Sequence, residues 1–510
     1  MTQEHLSGAR AVSSGSARST TAALQMMAEG GNAFDAGVVG TLLLSVLDDS
    51  GFCFGGEVPI LVRPAGREEP LVVCGQGPAP RRATLEHFVR WGGIPANALP
   101  AAAVPGQLDA CLLVLERWGT RTFERCVGPT LDYLDESPED WKHRLAATLR
   151  RLIEAERASG LAGVREAFYG GPVGAELARW CAENGGLLEA GDLAAYRARV
   201  EEPVHRRCRG CDVYKCGAWS QGPALLQTLA LLERRDLSAL EHNGADYLHL
   251  LVEAMKLAFA DRDAYYGDPD FVEVPLARLL SDEYNAGRAR LMDPRRASLE
   301  QRPGLPQDVA PPSGGHAPNP NPKPRDTTTC IAADEAGNTY VATPSGWGLA
   351  MEPGPTGIWL GTRLQSFNIW AGHPNAIAPG KRPRITLTPT LVLREGAPVA
   401  AISVAGGDLQ DQTTLNILLA LVEFGMTPQQ AVDVPRVATH HLVGSFGQGA
   451  LTPGRISVEA GLAGGVLEEL RGRGHLLDVA PANLGMASVI GFEGARLSPA
   501  GEWEGMAGVG

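Results

Sequence analysis

Three consecutive threonines, Thr327, Thr328 and Thr329, follow a stretch that carries eight prolines between residues 302 and 326. A threonine hydroxyl becomes an effective nucleophile when the threonine is an N-terminus, because its own α-amine then accepts the hydroxyl proton. A cut of the Asp326–Thr327 bond, where an extended linker meets a rigid strand, would create that arrangement. The local pattern by itself favours a simpler interpretation, in which good strand-forming residues begin an edge strand.

A second group of residues could bind a metal ion. The segment "HRRCRGCDVYKC" contains four potential zinc ligands, which are His205, Cys208, Cys211 and Cys216. No second CxxC or HxxH pair accompanies them, so ordinary strand cysteines are favoured, and we expect neither a metal nor a cofactor. We also expect Cys330 to be buried and inert, and His440–His441 to lie in a solvated loop.

Composition limits the possible partners. The chain has 510 residues, with 58 acidic against 45 basic side chains and a net charge of −13. This balance repels phosphate backbones and anionic membranes, so neither nucleic acid nor membrane is an expected partner. The longest apolar run, residues 36–47, is too short to span a bilayer. The N-terminal residues lack a secretory pattern, and nine cysteines suit a reducing compartment, which together favour a cytoplasmic location.

Helices and strands alternate along the chain. We expect a helix over 19–31 with Ser19 or Thr20 as its cap, and an almost entirely apolar helix that Asn32 caps and that ends near Leu47. "VPILVRP" and "EPLVVCG" predict adjacent buried strands, and residues 244–270 predict an amphipathic helix. After the linker, "TTCIAAD", "GNTYVAT", "TLTPTLVL" and "PVAAISVAGG" predict strands, followed by the helix "QTTLNILLALVEFG".

Several of these segments together resemble the γ-glutamyltransferase (γ-glutamyltranspeptidase) family. The resemblance rests on "GGNAFDAGVVGTLLLSV", "YLHLLVEAMKLAFADRDAYYGDPDFVEVPL", "DTTTCIAADEAGNTYVAT", "PNAIAPGKRPRITLTPTLVL" and "AGGDLQDQTTLNILLALVEFGMTPQQAVDVPR", in this order, and it covers nearly the whole chain. It implies an α+β fold, the four-layer αββα sandwich of N-terminal-nucleophile (Ntn) hydrolases. It also implies a proenzyme that cuts itself into a large segment, 1–326, and a small segment, 327–510, of one intertwined globular unit.

The resemblance also implies roles for particular residues. Thr327 corresponds to the family's nucleophile, and the cleaved bond joins Asp326 to Thr327. Gly406 and Gly407 match the oxyanion hole, where glycines let backbone N–H groups approach a developing negative charge. Ser345 falls where the family has a second hydroxyl beside the nucleophile. Thr343, two residues earlier, should face the same side but is better explained by strand packing.

The γ-glutamyl pocket is where the chain departs from the family. Gln76 replaces an arginine that grips the donor's α-carboxylate, and Trp347 replaces an asparagine. Gln365 or Ser366 stands where an acid pairs with the donor's amino group. Without that arginine, the pocket lacks the cation that would form two charge-assisted hydrogen bonds to the donor's α-carboxylate.

Two further positions of the pocket also differ. Ile385–Thr386 replace a pair of serines, and Asp408 stands where transpeptidases have a serine. Asp408 could bind a substrate amine, although capping the helix that follows is favoured.

The leading hypothesis is a self-processing threonine hydrolase that cleaves an amide through an acyl-enzyme. It would pass the acyl group to water or to an amine, from a small-molecule donor other than glutathione. One alternative is a conventional γ-glutamyltransferase or glutathione hydrolase with a rebuilt pocket. Another is an uncleaved homologue that serves as a binding protein. The expected partners are the substrate, the acceptor and the two chains of the precursor, with a homo-oligomer left open.

Overall fold

The computed structural model describes residues 7–47, 51–304, 327–346, 351–446, 451–480, 483–502 and 505–510. Most of the predicted linker, together with Asp326 and Trp347, lies outside these ranges. Among the described helices, none is both long enough and apolar enough to cross a membrane.

The helices of the described residues are α1 (Ala17–Ala28), α2 (Ala33–Leu47), α3 (Leu85–Trp91), α4 (Gln107–Trp118), α5 (Phe123–Asp135), α6 (Asp140–Arg165), α7 (Pro172–Glu183), α8 (Ala190–Ala195), α9 (Pro223–Leu232), α10 (Ala245–Tyr265), α11 (Leu276–Leu279), α12 (Asp282–Ala289), α13 (Gln410–Val422), α14 (Pro428–Asp433) and α15 (Gly464–Gly472). Short 3₁₀ turns occur at Leu99–Ala101, Arg363–Ser366 and Gly407–Leu409, and a π turn follows α6 at Glu166–Gly170.

The strands are β1 (Ala11–Ser14), β2 (Val58–Arg63), β3 (Leu71–Gly75), β4 (Arg199–Glu201), β5 (Val204–Cys208), β6 (Cys211–Lys215), β7 (Cys330–Ala333), β8 (Thr339–Ala342), β9 (Thr390–Arg394), β10 (Ala397–Ala405), β11 (Val437–Thr439), β12 (Arg455–Glu459), β13 (Leu476–Ala480), β14 (Met486–Glu493), β15 (Arg496–Gly501) and β16 (Ala507–Val509). They form a seven-stranded sheet in the order β16-β1-β7-β8-β2-β3-β4 and a six-stranded sheet in the order β15-β14-β10-β9-β6-β5. A small third sheet has the order β11-β12-β13.

The two large sheets stack face to face between two helical layers. Val341 and Leu61 of the first sheet pack against Leu391 and Ile490 of the second in the core between them. The outer face of the first sheet packs against α2 and its neighbouring helices, and the outer face of the second against α9, α10 and α13. The expected αββα sandwich is therefore confirmed, and both sheets contain strands from before and after the predicted cut.

The first two helices differ in how well their predicted caps agree with the structure. Asn32 caps α2, because its side-chain oxygen accepts hydrogen bonds from the N–H groups of Phe34 and Asp35, and α2 ends at Leu47 as predicted. The cap predicted for α1 was wrong. The helix begins at Ala17, so Ser19 and Thr20 are buried inside its first turns.

The helix α10 was expected to be amphipathic, but it is buried on nearly all sides. Charged residues of this helix, among them Glu253, Arg262 and Asp263, are buried because each has an ionic partner inside the protein. Alternation of apolar and polar residues indicates a solvated face only when the polar groups lack internal partners, and here they have them.

Contact between α2 and β8 gives a stability prediction. A Cβ atom on Gly37 would overlap the ring of Tyr340, whose hydroxyl lies 2.8 Å from Thr41 Oγ1. Gly37→Ala should therefore lower the free energy of unfolding by about 1 to 3 kcal/mol, although alanine favours a helix.

Gly287→Ala, in α12, is the matched control, since Gly287 is exposed and no atom outside its neighbouring residues and its own helix backbone lies within 4 Å of the added Cβ. It should be neutral or stabilising by about 0.5 to 1 kcal/mol. Denaturant unfolding of both variants measures the change in the free energy of unfolding. Equal changes at the two positions would contradict the close packing of α2 on β8.

Candidate active site

Thr327 lies just before an interior strand. β7 pairs with β1 on one side and with β8 on the other, so the interpretation of the threonines as an edge strand is wrong. The Thr328 N–H donates to the carbonyl of Pro344 (3.0 Å), and the Gly15 N–H donates to the carbonyl of Thr329 (2.9 Å). Thr327 itself is 1% exposed. The backbone around the predicted nucleophile is therefore held on both sides.

Two polar side chains face the Thr327 hydroxyl. Ser345 Oγ lies 3.5 Å from Thr327 Oγ1, and the Gln410 carboxamide lies 3.4 Å from the same atom. When the Gln410 nitrogen donates to the carbonyls of Thr386 (2.9 Å) and Val404 (3.1 Å), its oxygen faces the threonine hydroxyl. Sequence reasoning predicted Ser345 but missed Gln410, which opens α13.

The position of Ser345 is fixed by its pairing with Glu57. The Ser345 N–H donates to the Glu57 carbonyl (2.9 Å), and the Glu57 N–H donates back to the Ser345 carbonyl (2.8 Å). Gly56 permits this approach, because a Cβ there would overlap the Ser345 carbonyl oxygen. Thr343 contributes differently, as its hydroxyl lies 2.8 Å from Ser403 Oγ, which agrees with the packing role favoured for it.

Arg363 is a buried cation that the sequence analysis did not single out. Its Nε donates to Glu57 Oε1 at 2.5 Å, and its Nη2 donates to Ser345 Oγ. Its guanidinium carbon lies 5.6 Å from the centre of the Phe446 ring. The residue is 2% exposed, and its Nη1 has no hydrogen-bond partner among the described residues. Arg363 thus joins Glu57 to the hydroxyl that faces Thr327.

Gly406 and Gly407 lie where β10 ends. Their φ angles are +142° and +59°, a region that residues with a side chain rarely adopt. Gly407 begins a 3₁₀ turn, so its N–H has no acceptor within that turn. Gln410, which contacts Thr327, is the first residue after this turn and lies three positions beyond Gly407.

Asp408 belongs to a buried ionic network. Its carboxylate accepts hydrogen bonds from Arg262 Nη1 (2.6 Å) and from the backbone N–H of Ser445 (2.8 Å), and it does not cap α13. The cap predicted for it was therefore wrong. Burial raises the pKa of Asp408, but the charges of Arg262 and Arg384 outweigh it and the net shift is downward.

The remaining predicted pocket residues have different surroundings. Gln365 Nε2 donates to Thr362, and Ile385 packs in the core between the sheets, which removes its side chain from a polar pocket. The hydroxyls of Ser366 and Thr386 are buried and make no hydrogen bond within the part of the chain that the structure describes. Trp347 lies outside the described residues.

Gln76 lines a cleft whose lining residues do not include Thr327. The cleft has a volume of about 300 Å³, and Tyr196, Arg197 and Arg382 are among its other walls. Gln76 Nε2 donates to the Gly77 carbonyl, and its Oε1 has no partner. Arg81 also lines this cleft, and its side chain is exposed.

A much smaller cavity lies beside Ser366. Its volume is about 20 Å³, which suffices for one water molecule or one small polar group. Three of its lining atoms are buried and make no hydrogen bond to the described residues: Ser366 Oγ, Tyr266 Oη and Arg384 Nη1. Arg384 Nη1 lies 4.0 Å from Asp263 Oδ1. Burial and the nearby Arg262 lower the pKa of Arg384 to about 10. This wall of the site is therefore rich in hydrogen-bond donors.

His373, which also lines the small cavity, has a defined tautomer. Its Nδ1 accepts from the Asn375 N–H (3.0 Å) and lies 2.8 Å from Asn368 Nδ2, so Nε2 carries the hydrogen and donates to the Asp263 carbonyl. Burial lowers the pKa of His373 to about 4.

One group of described side chains has the spacing of metal ligands. The ligand atoms of His249, Glu253 and His475 lie within 4.8 Å of one another. Lys256 Nζ donates to Glu253 at 2.6 Å, and Arg302 lies 3.5 Å from the same carboxylate. Glu253 is therefore already neutralised, and the two positive charges oppose a bound cation.

The segment weighed as a zinc site forms strands. Cys208 and Cys211 face each other across the β5–β6 hairpin and pack toward the helices, whereas Cys216 packs between the sheets. His205 stacks on Tyr214. These four side chains do not converge on one point.

The remaining histidine and cysteine predictions had different outcomes. The prediction that His440 and His441 lie in a solvated loop is wrong. His441 is fully buried, and His440 Nε2 lies 2.7 Å from Ser457 Oγ. Cys330 is buried as expected, and burial raises its pKa to about 12.

The chain as a whole is similar to known proteins. The family model described as gamma-glutamyltranspeptidase matches residues 19–136 and 141–508. The chain is 29% identical to the "Glutathione hydrolase-like YwrD proenzyme" of Bacillus subtilis (strain 168), and the match spans 89% of this chain and 88% of that protein. It is also 29% identical to the "Acylase ACY 1 proenzyme" of Pseudomonas sp. (strain SE83), over 93% of this chain and 88% of that protein.

Solved structures show the same similarity. "Structure of LmbA2991T421A" superimposes with a TM-score of 0.90 and 35% identity, covering 99% of both chains. A cephalosporin acylase from Bacillus halodurans superimposes with a TM-score of 0.82, over 98% of this chain and 96% of that one. At 23% identity, the second similarity shows a shared fold alone.

The tautomer of His373 predicts a pH dependence of stability. The imidazole of the unfolded chain takes up a proton below about pH 6.5, whereas the buried one stays neutral until about pH 4. Going from pH 7 to pH 5 should therefore lower the free energy of unfolding by about 2 kcal/mol through this residue.

Denaturant unfolding of the wild type and of His373→Asn at both pH values isolates the contribution of His373 to the pH dependence of stability. The variant should be less stable at pH 7 but should lose about 2 kcal/mol less on acidification, since its side chain does not titrate. The same loss in both proteins would show that His373 is not buried as a neutral acceptor.

Proposed function

The chain belongs to the γ-glutamyltranspeptidase family and is a γ-glutamyltransferase-like Ntn amidohydrolase, and we propose that Thr327 is its nucleophile, exposed by a self-catalysed cut after Asp326. The supporting observation is the placement of the Thr327 hydroxyl, before an interior strand and between Ser345 and Gln410. Relatives named as proenzymes support a precursor that is cut into two chains.

In maturation, Thr327 Oγ1 attacks the carbonyl carbon of Asp326. The C–N bond breaks, the Asp326 acyl group moves to the hydroxyl oxygen as an ester, and the proton goes to the released amine of Thr327. Water then hydrolyses the ester, which leaves a carboxylate on Asp326 and a free N-terminal threonine. Two hydrogen bonds at Thr328 and Thr329 hold the new N-terminus in place.

In turnover, the same hydroxyl attacks the amide carbonyl of the substrate and its proton passes to the α-amine of Thr327. That amine has a reference pKa of about 7.7 to 8.0, so it is partly neutral near pH 7. The N–H groups of Gly406 and Gly407 stabilise the negative oxygen of the intermediate. The leaving amine takes the proton and departs, and water or an acceptor amine removes the acyl group from Thr327.

Ser345 serves as a positioning residue in this scheme. Ser345 Oγ accepts hydrogen bonds from Arg363 Nη2 and from the Thr327 hydroxyl, so the bond to Arg363 fixes the acceptor toward which Thr327 Oγ1 points. This geometry orients either the hydroxyl or the new amine of Thr327.

We propose that the acyl donor is not glutathione. Gln76 is neutral and lies in a separate cleft, Ile385 is in the core, and Gln365 is bonded to Thr362. None of these three supplies the charge that a γ-glutamyl group needs. Similarity to an acylase proenzyme supports the same assignment.

Self-processing predicts a particular pair of fragments. Intact mass spectrometry of purified protein at neutral pH should show two chains that meet between Asp326 and Thr327. Thr327→Ala should remain a single chain, because alanine has no hydroxyl to attack the carbonyl. Thr329→Ala is the matched control, two residues away in the same run, and it should still be cut. A wild-type chain that stays whole would overturn the proposal and favour the binding-protein alternative.

The role of Ser345 gives a separate prediction. Ser345→Ala should slow both processing and amide hydrolysis by about 10- to 100-fold, because the hydroxyl that orients Thr327 is lost. Thr343→Val removes a hydroxyl that bonds Ser403 instead, and it should leave the rates within a few-fold. Rates of chain cleavage after refolding measure the effect, and equal slowing in both variants would exclude a specific role for Ser345.

A further inference from the structure

The direction of the Gly407 N–H is set by the 3₁₀ turn that Gly407 begins. The carbonyl of Gly406 accepts a hydrogen bond from the Leu409 N–H (3.1 Å), which closes the turn. In a trans peptide the carbonyl and the following N–H point in opposite directions, so this bond also orients the Gly407 N–H. A glycine pair has the greatest backbone freedom and a 3₁₀ hydrogen bond has poor geometry, so the turn needs support from other residues.

Asp408, the middle residue of the turn, receives part of that support. Its Oδ1 accepts hydrogen bonds from Arg262 Nη1 (2.6 Å) and from Ser445 Oγ (2.5 Å), and its Oδ2 accepts from the Ser445 N–H (2.8 Å). Its backbone carbonyl accepts from Gln412 Nε2 (3.0 Å). The carboxylate is therefore engaged inside the protein, and an incoming ammonium group would have to compete with Arg262 for it.

Arg262 also reaches the turn by a second route. The nitrogen that bonds Asp408 donates to Gln221 Oε1 as well (2.8 Å), and Gln221 Nε2 lies 3.5 Å from the carbonyl oxygen of Gly407. One guanidinium nitrogen therefore links the carbonyl of Gly407, through Gln221, to the carboxylate of the next residue.

The guanidinium of Arg262 is itself held in place within α10. The residue is fully buried, and its Nε and Nη2 donate to Asp263 Oδ1 at 2.9 and 2.7 Å. Nη2 also donates to the carbonyl of Val443 (2.8 Å). A planar guanidinium makes such bonds in a fixed fork that a lysine ammonium cannot reproduce. The position of the turn is thereby tied to the position of α10.

We propose that Arg262 is a positioning residue for the oxyanion hole, because through Asp408 and Gln221 it holds the turn that orients the N–H groups of Gly406 and Gly407. The inference rests on the proposed function, in which these N–H groups stabilise the negative oxygen. Donors that are already oriented need no rearrangement during the reaction, whereas a misaligned donor loses most of its effect.

Hydrolysis of p-nitrophenyl acetate measures this contribution, because the acetyl group is small and p-nitrophenolate leaves readily. Thr327 Oγ1 attacks the ester carbonyl, p-nitrophenolate departs, and water then releases acetate from Thr327. Both steps pass through a tetrahedral oxyanion, so a loss of alignment should lower kcat and leave KM within a few-fold. Rates are expressed per cut chain, determined by intact mass spectrometry, after subtraction of the rate of Thr327→Ala.

Arg262→Lys keeps a positive charge but not the fork, so its kcat should be about 10- to 100-fold lower than that of the wild type. Arg436→Lys is the matched control, since Arg436 is also almost completely buried and bonds two carboxylates, those of Glu459 and Glu502. Its kcat should stay within a few-fold of the wild type. An equal kcat in the two variants, or a raised KM at the wild-type kcat in Arg262→Lys, would overturn the proposal.

Asp408→Asn decides the question if Arg262→Lys does not fold. Its kcat should fall by about 10-fold at an unchanged KM, because asparagine lacks the charge that Arg262 binds. Where both variants fold, the double variant should be no slower than the slower single variant, since the two residues act through one contact. Losses that multiply in the double variant would overturn the route through Asp408.

The wild-type enzyme separates this inference from the proposed function. A wild-type chain that stays uncut, or that hydrolyses the ester no faster than Thr327→Ala, would overturn the proposed function and this inference with it. A cut and active wild type whose kcat is insensitive to both Arg262→Lys and Asp408→Asn would overturn this inference alone.

Discussion

The site depends on one constraint, which is that β7 is an interior strand. β1 and β8 pair with it along its length, and the residues just before it are bonded to Gly15 and Pro344. An N-terminus usually frays, because nothing restrains its first residues. Here the chain is held up to Thr328, so Thr327 Oγ1 has a defined position relative to Ser345 and Gln410. The catalysis that we propose for Thr327 needs a hydroxyl held in one position.

A buried ion pair supports this arrangement from one side. Glu57 and Arg363 are almost completely buried, and their separation of 2.5 Å compensates for the loss of water. Glu57 also holds the backbone of Ser345 through two hydrogen bonds. Removing either charge alone would leave the other uncompensated, at a cost of about 3 to 5 kcal/mol. The pair therefore links the packing of the first sheet to the geometry at Thr327.

The sequence predicted elements better than it predicted contacts. Asn32 as a cap, the strands around Thr327 and the layered fold follow from local patterns or from a family resemblance that spans the chain. The local pattern at Thr327 pointed to an edge strand, and only β1, more than 300 residues earlier, makes it an interior one. Arg363 could not be found from its surroundings in sequence, because its partner Glu57 lies 306 positions away. Asp408 was misread as a cap for the same reason, since Arg262 engages it from α10.

The order of strands has a consequence for any two-chain form of this protein. In the first sheet β1 lies between β16 and β7, and in the second sheet β5 and β6 extend a ladder begun by β9, so each segment completes sheets that the other begins. Neither fragment would bury its own core alone, so neither has a folded state of its own. A folded fragment therefore cannot leave one molecule and join another. Their affinity for each other is then the folding stability itself, and dilution cannot separate them without unfolding both.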